Sequence, residues 1–224
     1  MSTVWALIPV KLLERSKTRL ASVLQPQECA KLSRAMFMDV LDAMEKARHI
    51  DRIAVLTNDV EAAKLATQLG HLVIPDPSEN ELCAGLNAAA LQIAALGADT
   101  VLVMPGDLPT VTADDIDNLL SKHQGGVSIC PAIRDGGTNA LICSPPDAMP
   151  FQFGCDSARK HLEEATERGM PHARLPMHAF FRDIDTPDDL AWLARQDSSG
   201  NTVRFLHRSG IAARLGPGHM GTSA

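Results

Sequence analysis

The amino-acid sequence predicts an α/β fold in which a mostly parallel sheet carries helices on both faces. Short apolar runs of strand length alternate with longer segments whose apolar residues recur every three or four positions. The first run, residues 4–10, is almost wholly apolar, which is typical of a strand buried on both faces. Gly70 and Gly97 close two of the helical segments. Strands that alternate with helices at this spacing indicate a mostly parallel sheet.

The first half of the chain supports this interpretation element by element. A polar stretch over 11–25 follows the first strand, and Pro26 then fits the first turn of a helix. Apolar side chains at helical spacing mark this helix, and they are Cys29, Leu32, Met36, Val40 and Met44. The next predicted elements are strands over 52–57, 71–75 and 100–104, helices over 61–69 and 84–96, and a helix that begins at Thr112.

The pattern changes after Gly125. The expected elements there are strands over 127–133 and 138–143, a turn over 134–137 between them, and a helix over 156–168. Irregular chain is expected to follow as far as Ile184. The last clear helix begins at Thr186, which serves as a cap, with a proline in the first turn and an acid three residues on.

The length and composition of the chain predict one domain followed by a C-terminal tail. The chain has 224 residues, enough for one large hydrophobic core, and we assign residues 1–195 to a single domain. Residues 196–224 are rich in serine and glycine with little periodicity, so we expect a loosely ordered C-terminal tail with one docked segment around 203–206.

Composition and charge exclude several classes of protein. The formal net charge of -6 argues against a nucleic acid or an anionic membrane surface as the main partner. No apolar run approaches the ~18 residues that a membrane span needs. Five cysteines, odd in number and never spaced C-x-x-C, exclude a disulfide framework and a usual zinc knuckle. We therefore expect a cytoplasmic protein with reduced thiols.

Familiar catalytic motifs are absent from the sequence. There is no G-x-x-x-x-G-K-[ST] loop, and no G-x-G-x-x-G follows the first strand, which disfavours P-loop chemistry and dinucleotide-dependent hydride transfer. There is no G-x-S-x-G elbow for a serine hydrolase. No cysteine lies in a motif that would make it a nucleophile.

Charged residues follow the predicted strands, where ligands bind in an open parallel sheet. Cations at Lys11, Arg15, Lys17 and Arg19 follow the first strand, Asp107 follows the fourth, and Asp183 and Asp185 precede the last helix. Brought together, they would form a site for a polyphosphate and Mg²⁺. Taken singly, the cations also fit a solvated loop, and the paired acids also fit partners of a helix dipole.

Six short motifs follow one another between residues 8 and 190. They are Pro9-Val10-Lys11 with Lys17-x-Arg19-Leu20, Gly85-Leu86-Asn87-Ala88-Ala89, Pro105-Gly106-Asp107-Leu108-Pro109, Gly137-Thr138-Asn139-Ala140-Leu141, Phe151-x-Phe153-Gly154-x-x-Ser157 with His161, and Asp183-Ile184-Asp185-Thr186-Pro187. Taken in order, these motifs resemble the guanylyltransferase family of coenzyme F-420 biosynthesis, which activates 2-phospho-L-lactate or a related phospho-acid with GTP. The resemblance implies a single-domain nucleotidyltransferase with a Rossmann-like sheet.

The resemblance also implies a role for each matching residue. The GTP site would comprise Lys11, Lys17 and Arg19 at the triphosphate and Asp76, Gly85 and Asn87 at the guanosine. The metal site for Mg²⁺ would comprise Asp107, Asp183 and Asp185, and the phospho-acid site Thr138, Gly154 and Ser157. Catalysis would rest on Lys11, Lys17, Arg19 and Asp107, with GMP passing to the acid and pyrophosphate leaving. A downstream transferase would accept the unstable product.

One departure from the family pattern bears on the acid. The usual F-G-P-x-S reads Phe153-Gly154-Cys155-Asp156-Ser157 here, which frees a backbone N–H at Cys155 and adds a negative charge at Asp156. With Cys83 and Met104 as candidate lining, this leaves room for a longer acid. As the acid substrate, we therefore rank 3-phospho-D-glycerate and phosphoenolpyruvate equally and 2-phospho-L-lactate third.

Two alternatives stay open at this point. One is another nucleotidyltransferase of the same fold, such as a molybdopterin guanylyltransferase, although the glycine-rich loop of that class is missing after the first strand. The other is a non-catalytic nucleotide-binding protein, although all three candidate metal aspartates are present. Homo-oligomerisation is also left open.

Overall fold

A computed structural model of the chain describes residues 2–13, 17–78 and 81–215. Seven strands form one sheet in the order β3-β2-β1-β4-β6-β5-β7. The strands are β1 (Val4–Val10), β2 (Arg52–Thr57), β3 (Leu72–Ile74), β4 (Thr100–Val103), β5 (Gly126–Pro131), β6 (Thr138–Ser144) and β7 (His172–Arg174). The helices are α1 (Pro26–Lys46), α2 (Val60–Gln68), α3 (Leu82–Ala95), α4 (Ala113–Ser121), α5 (Ser157–Glu167), α6 (Pro187–Leu193), α7 (Asn201–Arg208) and α8 (Ile211–Arg214).

The strand directions confirm the mostly parallel sheet. Strand β1 pairs in parallel with β2 and β4, β2 with β3, and β5 with β7. Strand β6 alone runs antiparallel, between β4 and β5, so its first residue, Thr138, lies at the edge where the parallel strands end. That edge collects the segments that follow β1, β3 and β4.

Two hydrophobic layers cover the sheet, one on each face. Along β1, Ala6 and Ile8 pack toward α1, α2 and α4, whereas Trp5 and Leu7 pack toward α3 and α5. This alternation follows from the two-residue period of a strand, which sends neighbouring side chains to opposite faces. None of the helices in the described segments combines the length and the apolar character needed to cross a lipid bilayer.

The segment after residue 196 is more ordered than the sequence analysis predicted. Over residues 201–215 the chain forms α7 and α8, whose buried side chains Val203, Leu206 and Ile211 join a third apolar cluster with α1 and α6. Asp39 of α1 accepts hydrogen bonds from the N–H groups of Asn201 and Thr202 at 2.6 and 2.8 Å, which caps α7.

The docked segment predicted around 203–206 is thus one part of a longer packed segment. A helix as short as α7 has too few apolar positions to stand out in a sequence, and it is stabilised by the surface of α1 rather than by its own propensity. Residues 216–224 of the predicted tail lie outside the described residues.

Strand β7 is a second difference, since the sequence predicts irregular chain up to Ile184. The strand has only three residues, and two of them, His172 and Arg174, are exposed. It therefore lacks the apolar pattern of a buried strand. Its parallel pairing with β5 at the sheet edge supplies the hydrogen bonds that order it.

Candidate active site

The candidate site lies where the strand order switches. From β1 the chain runs outward through β2 and β3, then crosses to β4 on the other side of β1. Lys11 follows β1 and Asp107 follows β4, so both lie at the point where ligands bind in open α/β sheets. A cavity of about 350 Å³ opens there, and its polar lining residues include Lys11, Lys17, Asp107 and Asp185.

Lys17 lies at the centre of this site. Its Nζ is 2.6 Å from Asp107 Oδ2 and 2.6 Å from Asp185 Oδ1, and its side chain is only 7% exposed. Burial by itself lowers the pKa of Lys17, but the charges of the two carboxylates outweigh burial, so the pKa is raised and the ammonium stays charged. Its backbone is left-handed, with φ of 58°, which is uncommon away from glycine and marks a constrained position.

Three carboxylates converge beside this lysine. Oxygen atoms of Asp107, Asp183 and Asp185 all lie within 4.8 Å of one another. Burial, followed by the charges of Asp107 and Asp185, raises the pKa of Asp183 to about 6. Asp107 Oδ1 is buried and has no hydrogen-bond partner among the described residues. An acidic cluster with an unpaired buried oxygen matches the ligand set of a hard divalent cation.

The loop that carries Asp183 and Asp185 is held from two sides. The N–H of Ile184, a fully buried residue, donates to the carbonyl oxygen of Asp107 at 3.1 Å. On the other side, buried Asp189 accepts from the N–H and hydroxyl of Thr186 at 2.9 and 2.7 Å and from the N–H of Asp185 at 3.3 Å. The loop thus begins and ends at fixed points.

Two arginines also hold this loop, and the sequence motifs do not predict a role for either of them. Arg134 donates to Asp189 Oδ2 and lies 4.0 Å from Asp185 Oδ2, while Arg182 donates to Asp189 Oδ1 at 3.3 Å and covers the ring of Trp192. Burial raises the pKa of Asp189, but its hydrogen bonds to Thr186 and Arg134 outweigh burial, so the pKa is lowered. Residues 134 and 189 are too far apart in the chain for any local motif to connect them.

The remaining predicted triphosphate residues are solvent-exposed. Arg19 lies 3.7 Å from Asp185 Oδ2 with 69% of its side chain exposed, and Lys11 is also exposed. Both cations are therefore free to approach an anionic ligand in the cavity. Arg15, the fourth cation of the cluster, lies outside the described residues.

The structure brings two of the three predicted guanosine residues into contact. An added Cβ at Gly85 would lie 2.3 Å from Asp76 Oδ1, so the helix start and the carboxylate occupy adjoining space. Asn58 holds the Asp76 backbone through two hydrogen bonds, at 2.8 and 3.1 Å. Asn87 accepts from the N–H of Phe151 at 2.8 Å, which commits its oxygen and leaves its NH₂ group as the donor for a ligand.

Gly85→Ala should destabilise the protein in the wild-type background and stabilise it once the Asp76 side chain is shortened. Alanine is favoured over glycine inside a helix by about 1 kcal/mol, but here its methyl group would collide with Asp76. Thermal unfolding of Gly85→Ala, Asp76→Ala and the double variant measures both signs. A stabilised single variant would show that the carboxylate does not restrict this position.

The predicted phospho-acid residues form a mostly buried group beside the start of α5. Ser157 Oγ donates to Thr138 Oγ1 at 2.9 Å, and Thr138 Oγ1 lies 3.1 Å from His161 Nδ1. His161 and Ser157 are fully buried, and Thr138 is 7% exposed. Gly154 has φ of 130°, in the region that favours glycine, and is exposed.

Two details at this group bear on the predicted acid site. The N–H of Ser157 is not free for an anion, because it donates to the carbonyl oxygen of Gly154 at 3.1 Å. Among the described residues, none accepts a hydrogen bond from the N–H groups of Gly154 or Cys155, so the free donors lie three and two residues before Ser157. Met104, a candidate lining residue of the acid pocket, is fully buried in the hydrophobic core.

The stability of the protein should fall between pH 6.5 and pH 4 partly because of His161. Burial, followed by the charge of Lys160, lowers the pKa of His161 to about 4, whereas an unfolded histidine binds a proton near 6.5. The unfolded state therefore binds more protons in this window, and acidification removes up to about 3 kcal/mol of stability. The measurement is the free energy of unfolding against pH for wild type and His161→Asn, and the variant should lose less.

Parallel curves for the two proteins would contradict this prediction, because only the wild type carries the titrating imidazole. Protonation of carboxylates whose pKa values are lowered, such as Asp117 and Asp189, also lowers the free energy of unfolding over an overlapping acidic range. This loss is the same in both proteins. The difference between the two curves therefore isolates His161.

Comparison with known proteins relates this chain to one family. Residues 4–220 match the family described as guanylyl transferase CofC like. The chain is 41% identical over 215 residues to a phosphoenolpyruvate guanylyltransferase of Roseiflexus sp. (strain RS-1), with 92% of this chain and 94% of the relative covered. It is 37% identical over 204 residues to a 2-phospho-L-lactate guanylyltransferase of Methanothermobacter thermautotrophicus, covering 91% and 89%.

A third relative is named for a different acid substrate. A 3-phospho-D-glycerate guanylyltransferase of Phenylobacterium zucineum is 34% identical over 199 residues, with 85% of this chain and 89% of the relative covered. The three names differ in the acid although all three identities lie between 34% and 41%. Overall identity therefore does not select the acid.

Solved structures agree on the fold. A protein from Desulfovibrio desulfuricans G20 aligns with a TM-score of 0.79 at 22% identity, covering 96% of this chain and 99% of the other. A nucleotidyl transferase from Methanothermobacter thermautotrophicus aligns with a TM-score of 0.64 at 18% identity, covering 93% and 100%. These likenesses establish the nucleotidyltransferase fold that the sequence motifs implied. Since the family match spans nearly the whole chain and includes every candidate site residue, the protein belongs to the guanylyl transferase CofC-like family.

Proposed function

We propose that this protein transfers GMP from GTP to the phosphate of a small three-carbon phospho-acid and releases pyrophosphate. The observation that carries this proposal is the cluster at the sheet switch point, where Lys17 bridges Asp107 and Asp185 beside Asp183. A site that offers fixed cations and carboxylates, in a chain of this family, suits transfer between two phosphate-bearing substrates.

Mg²⁺ is proposed as the cofactor, held by Asp107, Asp183 and Asp185. The buried Oδ1 of Asp107, which has no hydrogen-bond partner in the part of the chain that the structure describes, and the convergence of three carboxylates support this set, because a hard cation prefers carboxylate oxygens. A bound Mg²⁺ ion supplies positive charge that offsets the negative charge of the phosphates. The supports of the loop, Ile184 and Asp189, keep the two aspartates of that loop in place.

The reaction needs charge and position rather than a general base. The phosphate of the acid is already ionised at neutral pH, so no side chain has to remove a proton from it. Attack on the α-phosphorus of GTP brings two anions together, and Lys11, Lys17 and Arg19 lower the repulsion between them. We propose that Asp76, Gly85 and Asn87 contact the guanosine, with the NH₂ group of Asn87 as a donor.

The acid is proposed to bind beside Thr138, Gly154 and Ser157, where Ser157 uses its N–H and its hydroxyl on Gly154 and Thr138 and supports the site rather than donating to the acid. The N–H groups of Gly154 and Cys155, for which the described segments offer no acceptor, support this placement, because backbone donors near a helix start suit an anion. The candidate acids are phosphoenolpyruvate, 3-phospho-D-glycerate and 2-phospho-L-lactate. Each of them appears in the name of one of the relatives. Because they differ by about one atom in length or by saturation, discrimination of ~1–3 kcal/mol is expected and mixed use is compatible with the site.

The product determines the kind of partner. A guanylylated phospho-acid contains a reactive phosphoric anhydride, so we propose that a downstream transferase consumes it by moving the phospho-acid portion, with its phosphate, to an acceptor and releasing GMP. As a member of its family, this protein is proposed to supply, through its guanylylated product, the side-chain precursor of coenzyme F-420. No nucleic-acid or membrane partner is proposed.

The test is pyrophosphate release from purified protein with Mg²⁺, GTP and one acid at a time. A deazaflavin-accepting transferase in the assay traps the unstable product, and ATP in place of GTP tests the choice of base. Release that depends on one acid would support the reaction and identify its substrate. If GTP binds but no acid promotes release, the acceptor is wrong, and if GTP does not bind, the proposed function as a whole is wrong. Loss of release with a chelator, restored by Mg²⁺, tests the cofactor.

A further inference from the structure

His161 is a buried histidine with both ring nitrogens in hydrogen bonds. Its Nε2 lies 2.8 Å from the backbone nitrogen of Gln152, and its Nδ1 lies 3.1 Å from Thr138 Oγ1. The ring of Phe153 packs against the imidazole at 5.1 Å with an interplanar angle of 70°. Packing and two hydrogen bonds thus fix the orientation of the ring.

The partner at Nε2 determines the tautomer. A backbone N–H can only donate, so Nε2 must accept and carries no proton. Burial keeps the imidazole neutral, with a pKa of about 4, so its single proton resides on Nδ1. Nδ1–H therefore donates to Thr138 Oγ1.

Thr138 Oγ1 then accepts two hydrogen bonds, one from His161 and one from Ser157 Oγ at 2.9 Å. A hydroxyl oxygen has two lone pairs, and both are used. Its own proton can point at neither neighbour, and among the described residues no other group accepts from it. The hydroxyl is left as a donor without a protein acceptor.

We infer that His161 is a positioning residue that turns the Thr138 hydroxyl into a fixed hydrogen-bond donor toward the anionic phospho-acid. This inference rests on the proposed function, since the acid is the acceptor that it supplies. A hydroxyl free to rotate could present either a proton or a lone pair, and a lone pair would repel an anion. The Gln152–His161–Thr138 chain removes that choice before the substrate arrives.

Two amide variants separate polarity from packing. In His161→Asn, the amide NH₂ occupies the place of Nδ1 and still donates to Thr138, while the bond to Gln152 is lost. In His161→Gln, the amide oxygen occupies the place of Nε2 and still accepts from Gln152, while the donor to Thr138 is lost. Each variant loses one buried hydrogen bond, so their thermal stabilities should fall by similar amounts.

Steady-state kinetics with the best acid should divide the two variants. We expect His161→Gln to raise KM for the acid about 10- to 100-fold, the range for a hydrogen bond to a charged group, while KM for GTP stays within about 2-fold. His161→Asn should keep KM for the acid within about 3-fold of wild type. In a Thr138→Val background, His161→Gln should have no further effect on KM for the acid, because the donor is already gone.

The outcomes distinguish this inference from the proposed function. If wild type releases pyrophosphate with an acid but both histidine variants change KM for that acid equally, only the positioning role is overturned. Additive effects of Thr138→Val and His161→Gln would overturn it as well. If wild type releases no pyrophosphate with any acid, the proposed function falls and this inference falls with it.

Discussion

Asp107→Asn and Asp185→Asn should each reduce turnover by at least about 10³-fold while leaving the fold intact. Each substitution removes one of three converging carboxylates and weakens the proposed hold on Mg²⁺, whose charge is worth several kcal/mol in the transition state. The measurement is kcat for pyrophosphate release at saturating GTP, acid and Mg²⁺. Circular dichroism and thermal unfolding check that the fold is kept.

Asp188→Asn is the matched control for these variants. Asp188 is exposed and lies three residues beyond Asp185 in the first turn of α6. Its substitution by Asn removes the same charge near the site. Its kcat should stay within about 2-fold of wild type, since a surface substitution of this kind has a small effect. A second readout is Mn²⁺ binding by electron paramagnetic resonance, which the two site variants should weaken. Wild-type rates and wild-type Mn²⁺ affinity in both site variants would overturn the metal assignment.

Asp189→Asn should lower activity about 10- to 100-fold even though Asp189 lies outside the carboxylate cluster. The substitution removes the charge that joins Arg134 and Arg182 to the loop carrying Asp183 and Asp185. Residues that orient metal ligands have effects of this size. Stability should also fall, by about 2–3 kcal/mol, because hydrogen bonds from charged partners are lost at a buried position.

Asp115→Asn provides the comparison that separates capping from positioning. Asp115 occupies the same place in the capping box of α4 that Asp189 occupies in the box of α6, with Thr112 and Thr186 as the corresponding caps. No arginine is paired with Asp115 within the described residues. Asp115→Asn should therefore cost about 1 kcal/mol of stability and leave kcat unchanged. Equal losses of activity in the two variants would show that Asp189 acts only as a helix cap.

Much of the fold could be predicted because it rests on local pattern. The apolar run of β1, the helical stripe of α1 and the threonine caps of α4 and α6 are properties of neighbouring residues. The elements that were missed have a different origin. Strand β7 and helices α7 and α8 are short, and they are ordered by pairing with β5 and packing on α1.

The site divides in the same way. The order of the motifs was enough to place Lys17 and Asp107 together, because residues that follow parallel strands meet at one edge of the sheet, whereas Asp183 and Asp185 joined the group through the resemblance to the family. The order could not predict that Lys17 would lie between the two carboxylates, nor that it would adopt a left-handed backbone. Those features depend on the exact approach of the loops.

The α/β class, the family and the identity of the charged residues can be predicted from the amino-acid sequence, because they follow from periodicity and from motifs of a few consecutive residues. The pairing of the charged groups depends on how the folded chain packs. Lys17 meets Asp107 and Asp185 across 90 and 168 positions, and Arg134 meets Asp189 across 55. Hydrogen-bond polarity at His161 likewise depends on a partner in another segment, Gln152. Such contacts arise from packing geometry, and no local pattern of residues encodes them.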